Sequence, residues 1–290
     1  MKNLLLLTIC YLLPLIGTAQ DELSNPSFEE VLSLKTVGSP VLSPDGNHIA
    51  FTKSSADWKE NRWDYEIWLS KDGQPAFQLT NTPEGNSGQI RWAPGGQWIS
   101  FTANRGNKNQ VYVININGGE AIQITHEEDG VQQYRWAPDG KSIIFTKSEP
   151  KAKDAKKRSE RYGAYNVDDE EYRLTWLYTI PFDPYAQAPQ ELPCYDKDST
   201  AVQNWPCIEW PKAEALIDSV DFTIRGFDIS PDGKMIAITH SPDPLINSFF
   251  DADISILDLD SKKLRTAVNN PSSDNFVTWS PDSRQILYDT

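Results

Sequence analysis

The sequence predicts an all-β fold, a β-propeller of four-stranded antiparallel blades, and three observations carry that prediction. Five gapless segments share a Pro-Asp-Gly type turn, with prolines at 44, 94, 138, 231 and 281, so the steps are 50, 44, 93 and 50 residues. Three of those steps fit the roughly 40–50 residues of one blade. After each proline the apolar residues alternate: Ile49, Ile99, Ile143, Ile236 and Ile286 stand five positions on, and Phe51, Phe101, Phe145, Ile238 and Tyr288 stand two further. A period of two is that of a β-strand with one buried face. The flanking strands recur with the turns, as Glu66-Ile-Trp-Leu69 and Gln110-Val-Tyr-Val-Ile114 show.

The elements follow in order along the chain. Met1-Lys2-Asn3, the apolar run Leu4 to Ile16 and the small residues Gly17-Thr18-Ala19 have the pattern of a secretory leader cut near Ala19. The run is shorter than the roughly 17–25 residues of a membrane-spanning helix, so residues 1–19 are expected to be a signal peptide rather than a stable membrane anchor. A secreted or periplasmic location follows from that reading. Residues 20–37 form an N-terminal segment in which Ser27-Phe28-Glu29-Glu30 is a capping box that opens a short helix through Leu34. Asn25-Pro26 blocks its extension backwards.

Residues 38–290 are then expected to hold four blades and the start of a fifth. In each Ser-Pro-Asp-Gly, proline presets φ for the turn and glycine closes it, which joins the first strand to the second. Leu42, Trp92, Trp136, Ile229 and Trp279 stand two residues before the prolines as apolar plugs of the first strands. Phe77-Gln-Leu-Thr80 and Ile122-Gln-Ile-Thr125 are fourth strands, and Asp253 to Leu259 repeats the third-strand pattern. The 93-residue step reads as one long unit. Its charged stretch at about 147–172 and its Pro-rich stretch at about 181–219 are two insertions around the strand Arg173 to Ile180.

Charge and composition exclude some functions. Lys and Arg total 27 against 41 Asp and Glu, a net charge of −14, which offers no electrostatic footprint for nucleic acid. His48, His126 and His240 are isolated, there is no Cys-x-x-Cys, and the Asp251-x-Asp253 and Asp258-x-Asp260 pairs lack the glycine and final Glu of a calcium loop. No metal or cofactor is expected. Phosphate-binding glycine motifs and Gly-x-Ser-x-Gly are also missing, so no catalytic residue is expected in this chain.

Several residues remain as candidates. Arg91, Arg135 and Asp228 hold one place in successive first strands, where they either line the mouth of a central channel or pair between blades. Asp169, Glu170 and Glu171 follow a basic patch from Lys151 to Arg161; they either offer carboxylates to a substrate amine or form a solvated insertion. Loss of the leader would leave Cys194 and Cys207 as an even pair in an oxidising compartment, either bridged or free.

The run Phe28 to Gly46, which joins the capped helix directly to the first Ser-Pro-Asp-Gly, resembles the N-terminal propeller of the prolyl oligopeptidase family of serine peptidases. So do Tyr162-Gly163, Asp169 to Leu177 and Phe222 to Gly233, and the nearest branch is that of secreted dipeptidyl and acylaminoacyl peptidases. The single repeats are shared with TolB-like and WD-repeat propellers. The resemblance implies a propeller of seven or eight blades that caps a C-terminal α/β-hydrolase domain and admits short peptides. The Ser, Asp and His of that domain have no counterpart in this sequence. The fifth repeat stops nine residues after its proline, so the propeller is expected to be incomplete, with its end blades poorly covered.

Overall fold

The computed structural model describes residues 25–83, 85–106, 108–163, 172–184, 190–195, 202–209 and 211–290; at 153, 155, 156, 159, 190–195 and 202–209 it describes the backbone alone. It divides into two units, residues 1–35 and 36–290. Within the first, helix α1 (Phe28–Leu32) is opened by the capping box: Glu30 N–H donates to Ser27 Oγ at 3.1 Å and Ser27 N–H to Glu30 Oε2 at 2.7 Å. The helix stops at Leu32, two residues before the expected end, where the Ser33 N–H folds back onto the last turn.

The second unit is a run of antiparallel sheets whose spatial order is their sequence order. Blade 1 comprises β1 (Thr36–Leu42), β2 (His48–Asp57), β3 (Arg62–Lys71) and β4 (Phe77–Gln78). In blade 2 the strands are β5 (Ser87–Trp92), β6 (Trp98–Ala103), β7 (Gln110–Asn115) and β8 (Ile122–Gln123). The third blade pairs β9 (Gln133–Trp136), β10 (Ser142–Ser148), β11 (Thr175–Pro181) and β14 (Glu214–Ile217). β15 (Thr223–Ile229), β16 (Met235–Ser241), β17 (Asp253–Asp258) and β18 (Leu264–Val268) make blade 4, and β19 (Asn275–Trp279) with β20 (Ile286–Asp289) makes a two-stranded fifth sheet.

Blade 3 accounts for the long step in the repeat. Helix α2 (Lys153–Tyr162) lies between β10 and β11, where the sequence showed charge without apolar periodicity. The hairpin β12 (Gln190–Tyr195) and β13 (Val202–Glu209) lies between β11 and β14. Glu214–Ile217, inside the stretch read as Pro-rich insertion, is the fourth strand and pairs with β11. Because the strands run antiparallel, the two insertions leave the blade at opposite ends.

Hydrophobic burial works between sheets rather than within one. One face of blade 2 puts Ile99 and Phe101 against Ala50, Ile67 and Leu69 of blade 1, and its other face puts Val111 and Val113 against Ile143 and Phe145 of blade 3. The same arrangement joins blades 3 and 4 through Ile144, Leu177, Ile236 and Ile238. A fully buried isoleucine is worth roughly 1.5–3 kcal/mol, so each interface is a substantial part of the fold's stability. Trp92, Trp136 and Trp279 are plugs as expected, and each indole N–H donates backwards to the preceding blade: to Val41 O at 3.0 Å, Ser100 Oγ at 2.7 Å and Asp228 O at 3.3 Å. The expected plug Leu42 departs from this pattern. It is 57% exposed, and Ile49 beside it is 42% exposed, because among the described residues no sheet packs on that face of blade 1.

The turns also contact one another across blades. In the first, fourth and fifth repeats the serine hydroxyl donates to the aspartate, as Ser230 Oγ does to Asp232 Oδ1 at 2.7 Å, and accepts the N–H five residues on, Met235 N at 2.9 Å. Gly96, Gly140 and Gly233 have φ near +70°, and a Cβ on each would stand 3.6–3.8 Å from the proline of the preceding turn. The turns therefore stack in file. Their aspartates are held below the ordinary value of 3.8 by the hydroxyl of Ser43, Ser230 or Ser280 and by backbone N–H groups.

Two predictions come from this packing. Glu66 is 3% exposed and accepts from Thr80 Oγ1 at 2.5 Å and from the Thr82 N–H. In blade 2, Gln110 takes the same place and accepts from Thr125 Oγ1 at 2.8 Å and Glu127 N–H at 3.1 Å. Glu66→Ala leaves those donors unpaired and should cost about 3 kcal/mol in urea unfolding, whereas Glu66→Gln should cost about 1 kcal/mol.

Stability should also fall in two steps on acidification. Burial lowers the pKa of His126 and His240 from 6.5, so their contribution is lost as pH drops through and below that value. The turn aspartates keep their contribution above 3.8 and lose it as pH falls through their lower folded values. Asp232→Asn, which keeps the acceptor oxygen, should flatten the second limb of a plot of urea midpoint against pH.

Candidate functional site

The first strand of each blade forms one edge of its sheet, and at this inner edge β1 lies against β5 and β15 against both β9 and β19; these strands carry the charged row seen in the sequence. Arg91 on β5 stands opposite Ser100, Arg135 on β9 opposite Ile144, and Asp228 on β15 opposite Ala237, so all three hold one register position. Val41 and Thr278 hold it on β1 and β19. The flanking Trp92, Trp136, Ile229 and Trp279 are buried between blades, whereas Leu42 on β1 is exposed.

The structure brings the three residues together. Arg135 Nε lies 3.4 Å from Asp228 Oδ1, an ion pair between blades 3 and 4. Arg135 also donates to Tyr134 O at 3.0 Å, and its guanidinium lies 5.7 Å from the centre of the Phe227 ring. Of the two readings left open by the sequence, pairing between blades describes Arg135 and Asp228, and Arg91 has no such partner among the described residues. Arg91 is half-buried over the Tyr134 ring at 5.8 Å, and its Nε is buried without a hydrogen-bond partner. Burial first, and then the charge of Arg135, lowers its pKa.

A polar belt that the sequence reading passed over fixes this row. Gln89 Nε2 donates to Gln132 O at 3.0 Å, Tyr134 OH to Gln89 O at 2.6 Å, and Gln133 Nε2 to Arg225 O at 2.9 Å, so the belt runs from blade 2 through blade 3 to blade 4. Tyr134 is fully buried, which raises its phenol pKa and keeps it a neutral donor. Register breaks at Gly38/Val41, Gly88/Arg91, Ile224/Gly226 and Phe276/Thr278 mark a bulge on four inner strands. Ser39 and Gln89 sit in those bulges at φ 49°. Gly38 and Gly88, each six residues before a turn proline, were the available signal in the sequence.

Arg225, at the blade 4 bulge, anchors an aromatic finger. It donates from Nε to Ser241 Oγ at 2.6 Å and from Nη2 to both Asp243 O at 3.2 Å and Leu245 O at 3.1 Å, and its guanidinium lies 5.1 Å from the Phe249 ring. Phe249 belongs to a 3-10 turn at Asn247–Asp251.

The remaining candidates divide differently. Asp169, Glu170 and Glu171 lie outside the described residues. The base of their insertion is described: Arg173 pairs with Asp129, Lys151 Nζ lies 3.6 Å from the same carboxylate, and Leu174 N–H donates to Glu149 Oε1 at 2.8 Å. Burial is the largest influence and opposes the Asp129 charge, but the bond from Arg173 and the charges of Arg173, Lys151 and Lys108 together outweigh it, so that pKa is lowered. Cys194 and Cys207 fall on β12 and β13, with Leu192 opposite Cys207, but their side chains lie outside the described ones. Among the described residues no group of three His, Cys, Asp or Glu is placed to hold a metal, and no helix is long and apolar enough to cross a membrane.

Comparison with known proteins places this geometry. The chain is 26% identical over 106 residues to the uncharacterized peptidase YuxL of Bacillus subtilis (strain 168), a match that spans 36% of this chain and 16% of that protein. It is 27% identical over 74 residues to dipeptidyl peptidase 4 of Felis catus, across 26% of this chain and 10% of that one. The chain thus spans a minor part of the curated relatives it matches. A solved structure from Bacteroides ovatus, assigned as a dipeptidyl aminopeptidase IV, aligns with a TM-score of 0.53 at 11% identity over 91% of this chain and 39% of its own, which speaks for the fold alone. The family model of the TolB beta propeller domain matches residues 22–167, half of the sequence. Stacked four-stranded blades, plugs that reach backwards and repeated Pro-Asp-Gly turns agree with that match, and the chain belongs to the TolB β-propeller domain family.

Proposed function

We propose that this propeller gates and recognises short peptides for a secreted serine exopeptidase of the dipeptidyl or acylaminoacyl type, whose α/β-hydrolase domain is encoded outside these residues. The observation that carries the reading is that both curated relatives described above are peptidases. The division of labour has a physical basis. A channel bounded by inner strands excludes folded chains by size, and fixed charges at its mouth orient what enters. Attack on the scissile carbonyl needs a nucleophile, a base and an oxyanion hole, which the hydrolase domain would supply. The leader-like residues 1–19 support export of the whole protein to the periplasm or beyond.

A second reading has support of its own. Because the family match is to the TolB propeller domain, the chain also suits a non-enzymatic module that binds other proteins. The two readings part on one experiment. The product of the complete reading frame should be labelled by a fluorophosphonate at a serine beyond Thr290, and should release the chromophore from dipeptidyl or N-acyl-aminoacyl p-nitroanilides. It should do so far faster than it cleaves an unfolded protein of the same sequence preference. The 290-residue chain should show neither labelling nor turnover. A complete product that takes no label would overturn the peptidase reading in favour of the binding module.

A further inference from the structure

The inner row carries more positive charge than its own carboxylate neutralises. Arg135 and Asp228 form one pair at 3.4 Å. Arg91, one blade away, makes no ion pair or hydrogen bond from its guanidinium to any described residue, and its Nε is already out of reach of water. A guanidinium N–H removed from solvent is costly to leave unpaired, and a carboxylate or phosphate is the group that guanidinium geometry matches best. The Arg91 guanidinium, which the charge of Asp228 also reaches, lies over the ring of Tyr134. That phenol points elsewhere, with its hydroxyl bonded to Gln89 O at 2.6 Å, so it cannot serve as the acceptor. The neighbouring Arg135 makes the local potential still more positive.

We propose that Arg91, supported by Arg135, is an anion subsite of the inner row that takes a carboxylate of a bound peptide. Asp228 competes with that ligand for Arg135 and sets how tightly it is held. The proposal rests on the peptide-gating reading for the identity of the ligand, and on the geometry alone for its charge. The shared chemistry is the carboxylate, which a peptide presents either at its C-terminus or on an Asp or Glu side chain.

Calorimetric titration of the 290-residue chain with three probes separates these sources: trialanine, trialanine amide, and the amide of Ala-Asp-Ala. If the subsite reads the C-terminus, trialanine should bind at least about tenfold more tightly than its amide, the loss of one charge-assisted contact, and Ala-Asp-Ala amide should not recover the difference. Recovery by Ala-Asp-Ala amide would assign the subsite to acidic side chains. Arg91→Gln should abolish the preference. Asp228→Asn, which keeps the shape and frees Arg135, should tighten trialanine binding several-fold, whereas a merely structural role for the ion pair would weaken it. The preference should shrink as salt is raised from 0.02 to about 0.5 M, as expected for exposed charge.

Equal binding of all three probes to the unmodified chain would overturn the proposal without recourse to any variant. Weaker binding in Asp228→Asn would overturn the competition. Carboxylate-selective binding by this chain, combined with a complete product that fails to label with fluorophosphonate, would leave the subsite standing and remove the peptidase.

Discussion

A four-stranded antiparallel sheet with apolar residues on both faces has no stable solution alone, and every other property of this molecule depends on how that constraint is met. Blades 2, 3 and 4 are each covered by the sheets before and after them in sequence. Ile99 and Phe101 look back to blade 1 while Val111 and Val113 look forward to blade 3. No single blade has a core of its own. Contacts that join neighbours in sequence are short in range, so the structure can be assembled by accretion from one blade to the next. The exposed Leu42 and Ile49 at one end, and Val277 and Leu287 at the other, show what a blade face looks like without a neighbour.

Polar bonds then fix the rotation between sheets that burial leaves loose. Apolar contact is non-directional, but an indole N–H that must reach Val41 O, Ser100 Oγ or Asp228 O admits a single setting of the blade. Glycine against the preceding proline does the same at the turns, and the belt from Gln89 to Arg225 does so at the inner edge. The charged row inherits its geometry from these three sets of contacts. Arg135 meets Asp228 because the sheets of blades 3 and 4 are held at one angle.

Most of the fold was legible in the sequence because its signals are local and repeated. Proline, glycine and an apolar residue at fixed offsets give turn, strand and face five times over, and repetition lifts them above chance. What escaped was unrepeated. Helix α2 has ten residues with a polar surface, so no apolar stripe announced it. The strand Glu214–Ile217 is four residues long and follows a Pro-rich hairpin that concealed it. Leu42 was read as a plug from its place in the repeat, but burial depends on a neighbouring sheet, which no single residue encodes. At the candidate site, the shared position of Arg91, Arg135 and Asp228 was visible. Which of them pair was not, since that depends on a distance across blades and on bulges whose sign in the sequence is one glycine.

Those bulges have a consequence for how such a molecule diversifies. An ordinary strand alternates strictly, so a change at one residue on a face disturbs its neighbours on that face. Alternation turns the plug and the residue before it to opposite faces of the first strand, and on four of the five strands a bulge lies ahead of both. The position that reads Val41, Arg91, Arg135, Asp228 and Thr278 has accepted an aliphatic, two cations, an anion and a hydroxyl, while the next residue has remained leucine, tryptophan or isoleucine. The residue that packs and the residue that carries charge are thereby separate letters of each repeat, so the charge of the row can change one blade at a time while the plug stays in place.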